Sequence, residues 1–351
     1  MNAVSESAVG EPIASRRGFF WIGAEPTAQS TPAGGGGTVP RGQMYVEWES
    51  PAEERHPYPV VLVHGGGGQG LDYLGTPDDR PGWARHLVRE GFTVYVVDRP
   101  GHGRSPHHPD VLGAMAPMMP TEAYLGIFAP DAFAEGHTQW PGGRTADDPV
   151  VGQAMAGSGP MLADTAAMHA LEQARMAELL DRIGPAIVVC HSAGGPAGYL
   201  AADARPELVK ALVAVETLGP PFAVRPGVFS LDWGLAAAPL TYDPPAADPT
   251  ELSLLTQDTD SGIPMTLQAE PARRLPNLAR VPIAVVTAEA SPFVLFDGHL
   301  MAFLEQAGCD AELVRLADHG VHGNGHGMML EKNNRETLQV ILDWLDKRGA
   351  R

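Results

Sequence analysis

Five short apolar runs, at 59–63 (PVVLV), 93–97 (TVYVV), 186–190 (AIVVC), 210–215 (KALVAV) and 281–287 (VPIAVVT), each stop on small or polar residues. They show no polar–apolar alternation, so each reads as a strand covered on both faces, as the strands of a parallel sheet are. Segments with helical spacing lie between them. In 161–183, Leu162, Ala166, His169, Ala170, Gln173, Met176, Leu179 and Leu180 recur on one face, which predicts a core-facing helix; 83–90 reads as another. The alternation predicts an α/β chain with a mainly parallel, doubly wound sheet. Residues 19–22 and 44–48 are expected to pair as antiparallel strands at its edge, joined by a loop over 26–41. At 351 residues and 44% hydrophobic, the chain can bury a large core and still carry insertions.

In such a sheet the chemistry gathers where the strands end. The run at 186–190 continues as His191-Ser192-Ala193-Gly194-Gly195, the outline of a nucleophile elbow, in which a tight strand-to-helix turn lifts a serine hydroxyl clear of the backbone. Ser192 is therefore the candidate nucleophile. Cys190 stands two places before it, where glycine is usual; a small side chain still lets strand and helix approach. The run at 59–63 opens onto His64-Gly65-Gly66-Gly67-Gly68. Glycines there can turn N–H groups toward a substrate oxygen. Gly66 is the candidate first oxyanion donor and Ala193, just after the serine, the second. No Lys-Ser/Thr follows the glycines, which argues against a phosphate loop.

Strand–HGG, strand–DRPGHGRS (98–105) and strand–HSAG, in that order, resemble the α/β-hydrolase superfamily from about Val60 to the C-terminus. The resemblance implies a general-base histidine on the loop after the last strand, 311–316. Gly325-His326 with Glu331 fits that pattern best, His322 is the reserve, and His319 reads as a loop residue bonding the backbone. The acid commonly follows strand 281–287, but the expected position holds Ser291. Glu216 is the charge at the end of the preceding strand. Burying it unpaired would be costly, so it needs a partner such as His326; Glu289 and Asp297 remain alternatives. Together with RGFFWIG (17–23), GQMYV (42–46), HGNGH (322–326) and Asn333-Asn334, this glutamate makes the chain similar to the bacterial esterases typified by esterase 713 of Alcaligenes. That likeness implies Ser192, Glu216 and His326 as the triad, and a homodimer.

Residues 1–16 read as a loose N-terminus. The hydrolase core is expected over 17–105, 160–221 and 281–351. Two Pro-rich segments, 106–159 and 222–280, are too long for plain loops and read as a cap over Ser192. Met118 and Trp140 in the first are candidate substrate contacts. The net charge of −18 argues against nucleic acid and anionic membrane as partners. Two cysteines give no disulfide framework, and the first residues show no basic-then-apolar signal, so a cytoplasmic protein is expected. The reading is a serine hydrolase acting, with no cofactor, on a small to medium, largely apolar carboxylic ester through an acyl-enzyme. A lactonase, amidase or carbon–carbon hydrolase with the same triad, and a non-catalytic ligand receptor, are the alternatives. A metal site of His319, His322 and His326 is disfavoured because Gly320, Gly323 and Gly325 interrupt any helix there.

Overall fold

Valines and leucines that alternate along the strands divide between two faces, and that division builds the molecule. The computed structural model describes residues 12–30 and 34–351, with backbone alone at 110 and 111. Its central sheet comprises β1 (Ser15–Ile22), β2 (Met44–Pro51), β3 (Val60–Val63), β4 (Val94–Asp98), β5 (Ala186–His191), β6 (Val209–Val215), β7 (Ile283–Thr287) and β8 (Ala311–Arg315). Among the described residues the order is β1-β2-β4-β3-β5-β6-β7-β8. The pairs β1–β2 and β2–β4 are antiparallel, and the remaining pairs are parallel. The antiparallel edge runs in the expected register, Phe20 opposite Val46 and Ile22 opposite Met44.

The principal helices are α1 (Trp83–Arg89), α2 (Thr121–Phe128), α3 (Pro149–Ala156), α4 (Thr165–Ile183), α5 (Gly195–Ala204), α6 (Asp297–Gln306) and α7 (Asn334–Lys347). Val61, Val63, Val188 and Cys190 face one way, against Met176, Leu179 and Leu180 of α4, Leu200 of α5 and Phe303 of α6. Val60, Leu62, Ile187 and Val189 face the other way, against Trp83 and Leu87 of α1 and Ile341 and Trp344 of α7. Period-two alternation thus feeds both layers at once. Each fully buried side chain of this size adds ~1.5–3 kcal/mol.

Several boundaries differ from the sequence reading. Helix α4 starts at Thr165 rather than 161, because the Asp164 carboxylate accepts the Ala167 N–H at 2.9 Å and so caps the helix there. Strand β1 begins at Ser15, inside the segment expected to be loose, and residues 1–11 of that segment lie outside the described residues. The loop expected over 26–41 contains a hairpin of Glu25–Ser30 with Gly36–Arg41. Of the two long segments, 106–159 carries α2 and α3 and has its own apolar cluster of Tyr124, Leu125, Ala129, Trp140 and Val151. In 222–280, Phe222, Trp233, Leu235, Leu240, Tyr242 and Leu275 join the main core on the α4–α5 side. The Ala237 N–H donates to His169 Nδ1 of α4 at 2.9 Å, tying that segment to the body. Among the described residues no helix is long and apolar enough to cross a membrane.

Candidate active site

The turn after β5 is built by close packing. Ser192 has φ +52°, an unusual value for a side-chain-bearing residue, as a nucleophile elbow requires. A Cβ on Gly194 would stand 2.3 Å from the His64 carbonyl oxygen, and one on Gly195 would stand 2.4 Å from Thr217 Cβ. These positions admit only glycine. The missing glycine at 190 is made up from the helix side, where a Cβ on Gly198 of α5 would stand 2.5 Å from Cys190 Sγ. The Leu218 N–H donates to the Ser192 carbonyl at 2.9 Å and holds the corner from β6's end.

The glycine loop after β3 lies against this corner: Cβ atoms built on Gly65 and Gly66 would fall 3.1 Å from Ser192 Cβ and from Ala193 Cβ, respectively. A buried ion pair unforeseen from the sequence fixes the loop. Arg99 Nη1 and Glu172 Oε1 meet at 2.7 Å, each side chain 1% exposed. Arg99 Nη2 donates to the Gly65 carbonyl at 2.8 Å, and Nη1 also reaches the Ala193 carbonyl at 3.3 Å. The Arg99 N–H donates to His64 Nε2 at 3.0 Å, which puts the His64 proton on Nδ1, and that nitrogen donates to the same Gly65 oxygen at 2.9 Å. Carbonyl 65 and N–H 66 share one planar peptide and point opposite ways. Two donors on the former therefore set the direction of the latter.

His326 is fully buried, with Nδ1 2.8 Å from Glu216 Oε2. Glu216 sits just past β6 at φ +42° and also accepts from the Ser291 hydroxyl at 2.6 Å and the Ala288 N–H at 2.9 Å. Ser291, at the position where an acid was expected, is thus a donor to the Glu216 carboxylate at the end of the neighbouring strand. Burial holds the His326 imidazole well below its ordinary range, so the ring is neutral. Burial also pushes the Glu216 carboxyl up, and the Ser291 and Ala288 donors pull it back. Phe293 stacks on the imidazole at 4.1 Å and Phe128 of α2 meets it edge-on at 4.9 Å. His191, next to Ser192, donates from Nε2 to the His326 carbonyl at 2.9 Å. His326 Nε2 is buried and has no hydrogen-bond partner among the described residues.

The alternatives from the sequence have other partners. His322 and Glu289 face each other at 3.3 Å on the surface, with side chains 63% and 41% exposed. Asp297 is held by Arg315 at 3.0 Å through both oxygens. His322 and His326 therefore engage different carboxylates. The His326 loop is locked by Glu331, which accepts from Gly325 N–H at 2.9 Å, Asn324 Nδ2 at 2.7 Å and His137 Nε2 at 2.6 Å. His137 comes from the 106–159 segment and carries no signal in the sequence.

A cavity of about 600 Å³ opens beside the elbow. It is lined by Gly65, Gly66 and His191, by the 68–77 loop, by α2 and α3, and by Met329 and Leu330. Met118 is 47% exposed and Trp140 is buried in the cluster under α2, its indole N–H donating to the Gly143 carbonyl; neither lines the cavity.

Residues 58–239 match the family model described as alpha/beta hydrolase fold. The chain is 36% identical over 328 residues to "Probable secreted lipase phiG" of Fungal sp. (strain ATCC 74256), covering 89% of this chain and 88% of that one. It is also similar to a structure titled "The Atomic Resolution Structure of a Novel Bacterial Esterase", at a TM-score of 0.70 and 23% identity, over 97% of this chain and 98% of the other. The fungal relative's name points outside the cell, which overturns the cytoplasmic expectation. The physical reason is that Cys190 and Cys309 are desolvated thiols, pushed up to about 12 by burial. Such thiols are inert in either redox compartment and do not report which one the chain occupies. Match length and identity together establish that the chain belongs to the alpha/beta hydrolase fold family.

Proposed function

We propose that the chain is a secreted serine hydrolase of carboxylic esters, working through a Ser192–His326–Glu216 triad. The observation that carries this reading is the buried His326–Glu216 pair beside the elbow, with Nε2 of the same ring left unpaired. In this reading Nε2 takes the Ser192 proton as Oγ attacks the ester carbonyl. Glu216 holds the Nδ1 proton and stabilises the imidazolium. The N–H groups of Gly66 and Ala193 receive the oxyanion. The protonated Nε2 then returns its proton to the leaving alkoxide, giving an acyl-enzyme and free alcohol. Water, deprotonated by the same nitrogen, releases the acid. The mostly apolar cavity suits a small to medium ester. The contribution of α2 and α3 to its wall supports a covering role for 106–159.

A fluorophosphonate probe is expected to add one phosphonyl group to Ser192, located by peptide mass spectrometry, with loss of turnover on p-nitrophenyl butyrate. Labelling elsewhere with turnover retained would overturn the reading. Glu216→Gln should lower kcat by about 10²–10⁴-fold, the upper end being the loss when a triad carboxylate becomes an amide. Glu289→Gln should stay within twofold of the parent. Inverted results would move the acid to the surface pair.

The pH profile follows from the ring's surroundings. His326 must be neutral to accept the Ser192 proton, and burial lowers its affinity for a proton. Activity is therefore retained below the ordinary histidine value of about 6.5 and is lost only as pH falls through the depressed value. The acid limb of kcat/KM on a neutral ester is expected to have its midpoint at least one unit below 6.5. A midpoint at or above 6.5 would show that the titrating base is not this desolvated ring.

A further inference from the structure

Rings from the 106–159 segment wall in the imidazole of His326. Gly325 and Gly327 flank that residue, and neither adopts left-handed backbone, so what they provide is space. A Cβ on Gly325 would stand 2.6 Å from His137 Cε1, and one on Gly327 would stand 2.9 Å from Phe128 Cδ1. Phe128 is the last residue of α2 and is half-buried. It meets the imidazole at 4.9 Å and the His191 ring at 6.2 Å. It also lines the cavity, whereas His326 is not among the lining residues. Phe128 therefore touches both the space a substrate would fill and the ring that would take the Ser192 proton.

An apolar ring in that place acts on both neighbours. Toward the cavity it occupies volume that the hydrocarbon part of an ester would otherwise take, and a hydrophobic pocket discriminates by about 10–200-fold per methylene. Toward the imidazole it withholds water, and a dry imidazole resists protonation. The titratable groups around His326 are Glu216 at the end of β6, His191 at the end of β5 and, on its own loop, Glu331, which is engaged by His137. The turn bearing Phe293 has no charged residue; on α2 burial holds the Tyr124 phenol protonated, and Glu122 is exposed. Shortening Phe128 removes none of these groups. What it changes is volume and water access.

We propose that Phe128 is a specificity-determining residue of this hydrolase and the cover of its base, so that one ring on the 106–159 segment sets both the length of ester admitted and the acidity at which turnover persists. The inference rests on the ester-hydrolase reading. Its test uses p-nitrophenyl esters of C2 to C10 acids and butyrate esters of C2 to C10 alcohols, because the cavity can receive either side of the carbonyl.

In Phe128→Ala the ratio of kcat/KM for the C8 member to that for the C4 member is expected to rise by about tenfold or more in one series. The acid limb on p-nitrophenyl butyrate should move up by about half a unit or more, toward the ordinary histidine value. Phe128→Leu should show both shifts in the same direction and smaller. Phe128→Trp should lower the length ratio with the acid limb unmoved. A variant that merely folds less well loses rate on every ester alike and moves neither readout. Unchanged ratios in both series, or an acid limb in Phe128→Ala that stays with the wild type, would overturn the proposal. Wild-type turnover of the C4 esters reports separately on the ester reading. With that turnover present and the variants unshifted, the role of Phe128 alone fails; with no ester turned over, both fail.

Discussion

Ser192→Ala is expected to lower kcat on p-nitrophenyl butyrate by about four to six orders of magnitude, the scale seen when a triad nucleophile is removed. The fold should persist. The elbow's left-handed turn is imposed by Gly194 and Gly195 wedged against His64 and Thr217, and an alanine at φ +52° suffers the same backbone strain as the serine it replaces. Only one oxygen is lost. Thermal unfolding monitored by circular dichroism should shift by no more than a few degrees. A variant that unfolds normally yet keeps more than a hundredth of the activity would remove Ser192 from the reaction.

The second large effect is expected away from the nucleophile. Glu172→Ala leaves Arg99 as a buried cation without its counter-charge, and breaking such a pair costs about 3–5 kcal/mol. Urea unfolding should show that loss as an earlier midpoint at unchanged slope. Arg99→Met with Glu172→Leu separates stability from chemistry. An apolar replacement of both partners is commonly near neutral in stability, so this double variant should regain most of the midpoint. It should not regain the rate, because the Gly65 carbonyl has lost its guanidinium donor and the Gly66 N–H its fixed direction. A residual deficit of about 10²–10³ in kcat, comparable to losing one oxyanion donor, is expected with KM little altered. Full recovery of kcat in the double variant would show that the ion pair serves stability alone.

What the chain discloses before folding depends on how local the cause is. The sheet is legible because uninterrupted apolar runs have few other uses, and the edge pairing of Phe19 and Phe20 with Glu47 and Val46 follows from two short runs near each other in the chain. Ser192 is legible from its own neighbours. Glu216 is legible because a charge ending an apolar strand must be answered. Its second answer, Ser291, comes from the turn after the adjacent strand and becomes visible only when β6 and β7 lie side by side.

Glu172 had a signal, since it shares the face of α4 with His169 and Met176 at three- and four-residue spacing. A carboxylate on that face needs a buried cation. His137 had none: its partner, Glu331, is 194 residues away and belongs to a loop whose path is set by the rest of the fold. The 222–280 segment also depends on the fold for its placement. Its prolines resemble those of 106–159, and only the packing of Trp233, Leu240 and Tyr242 against the body tells the two apart.

The separation of 110 positions between Glu216 and His326 has a consequence for synthesis. At 5–20 residues per second, a ribosome takes roughly 5 to 20 seconds to cover that interval. For all of it the growing polypeptide lacks the His326 imidazole that the proposed reading makes the base for Ser192. The clasp at Glu331 is translated later still, so in the proposed reading the triad is complete only when the closing helix is emerging.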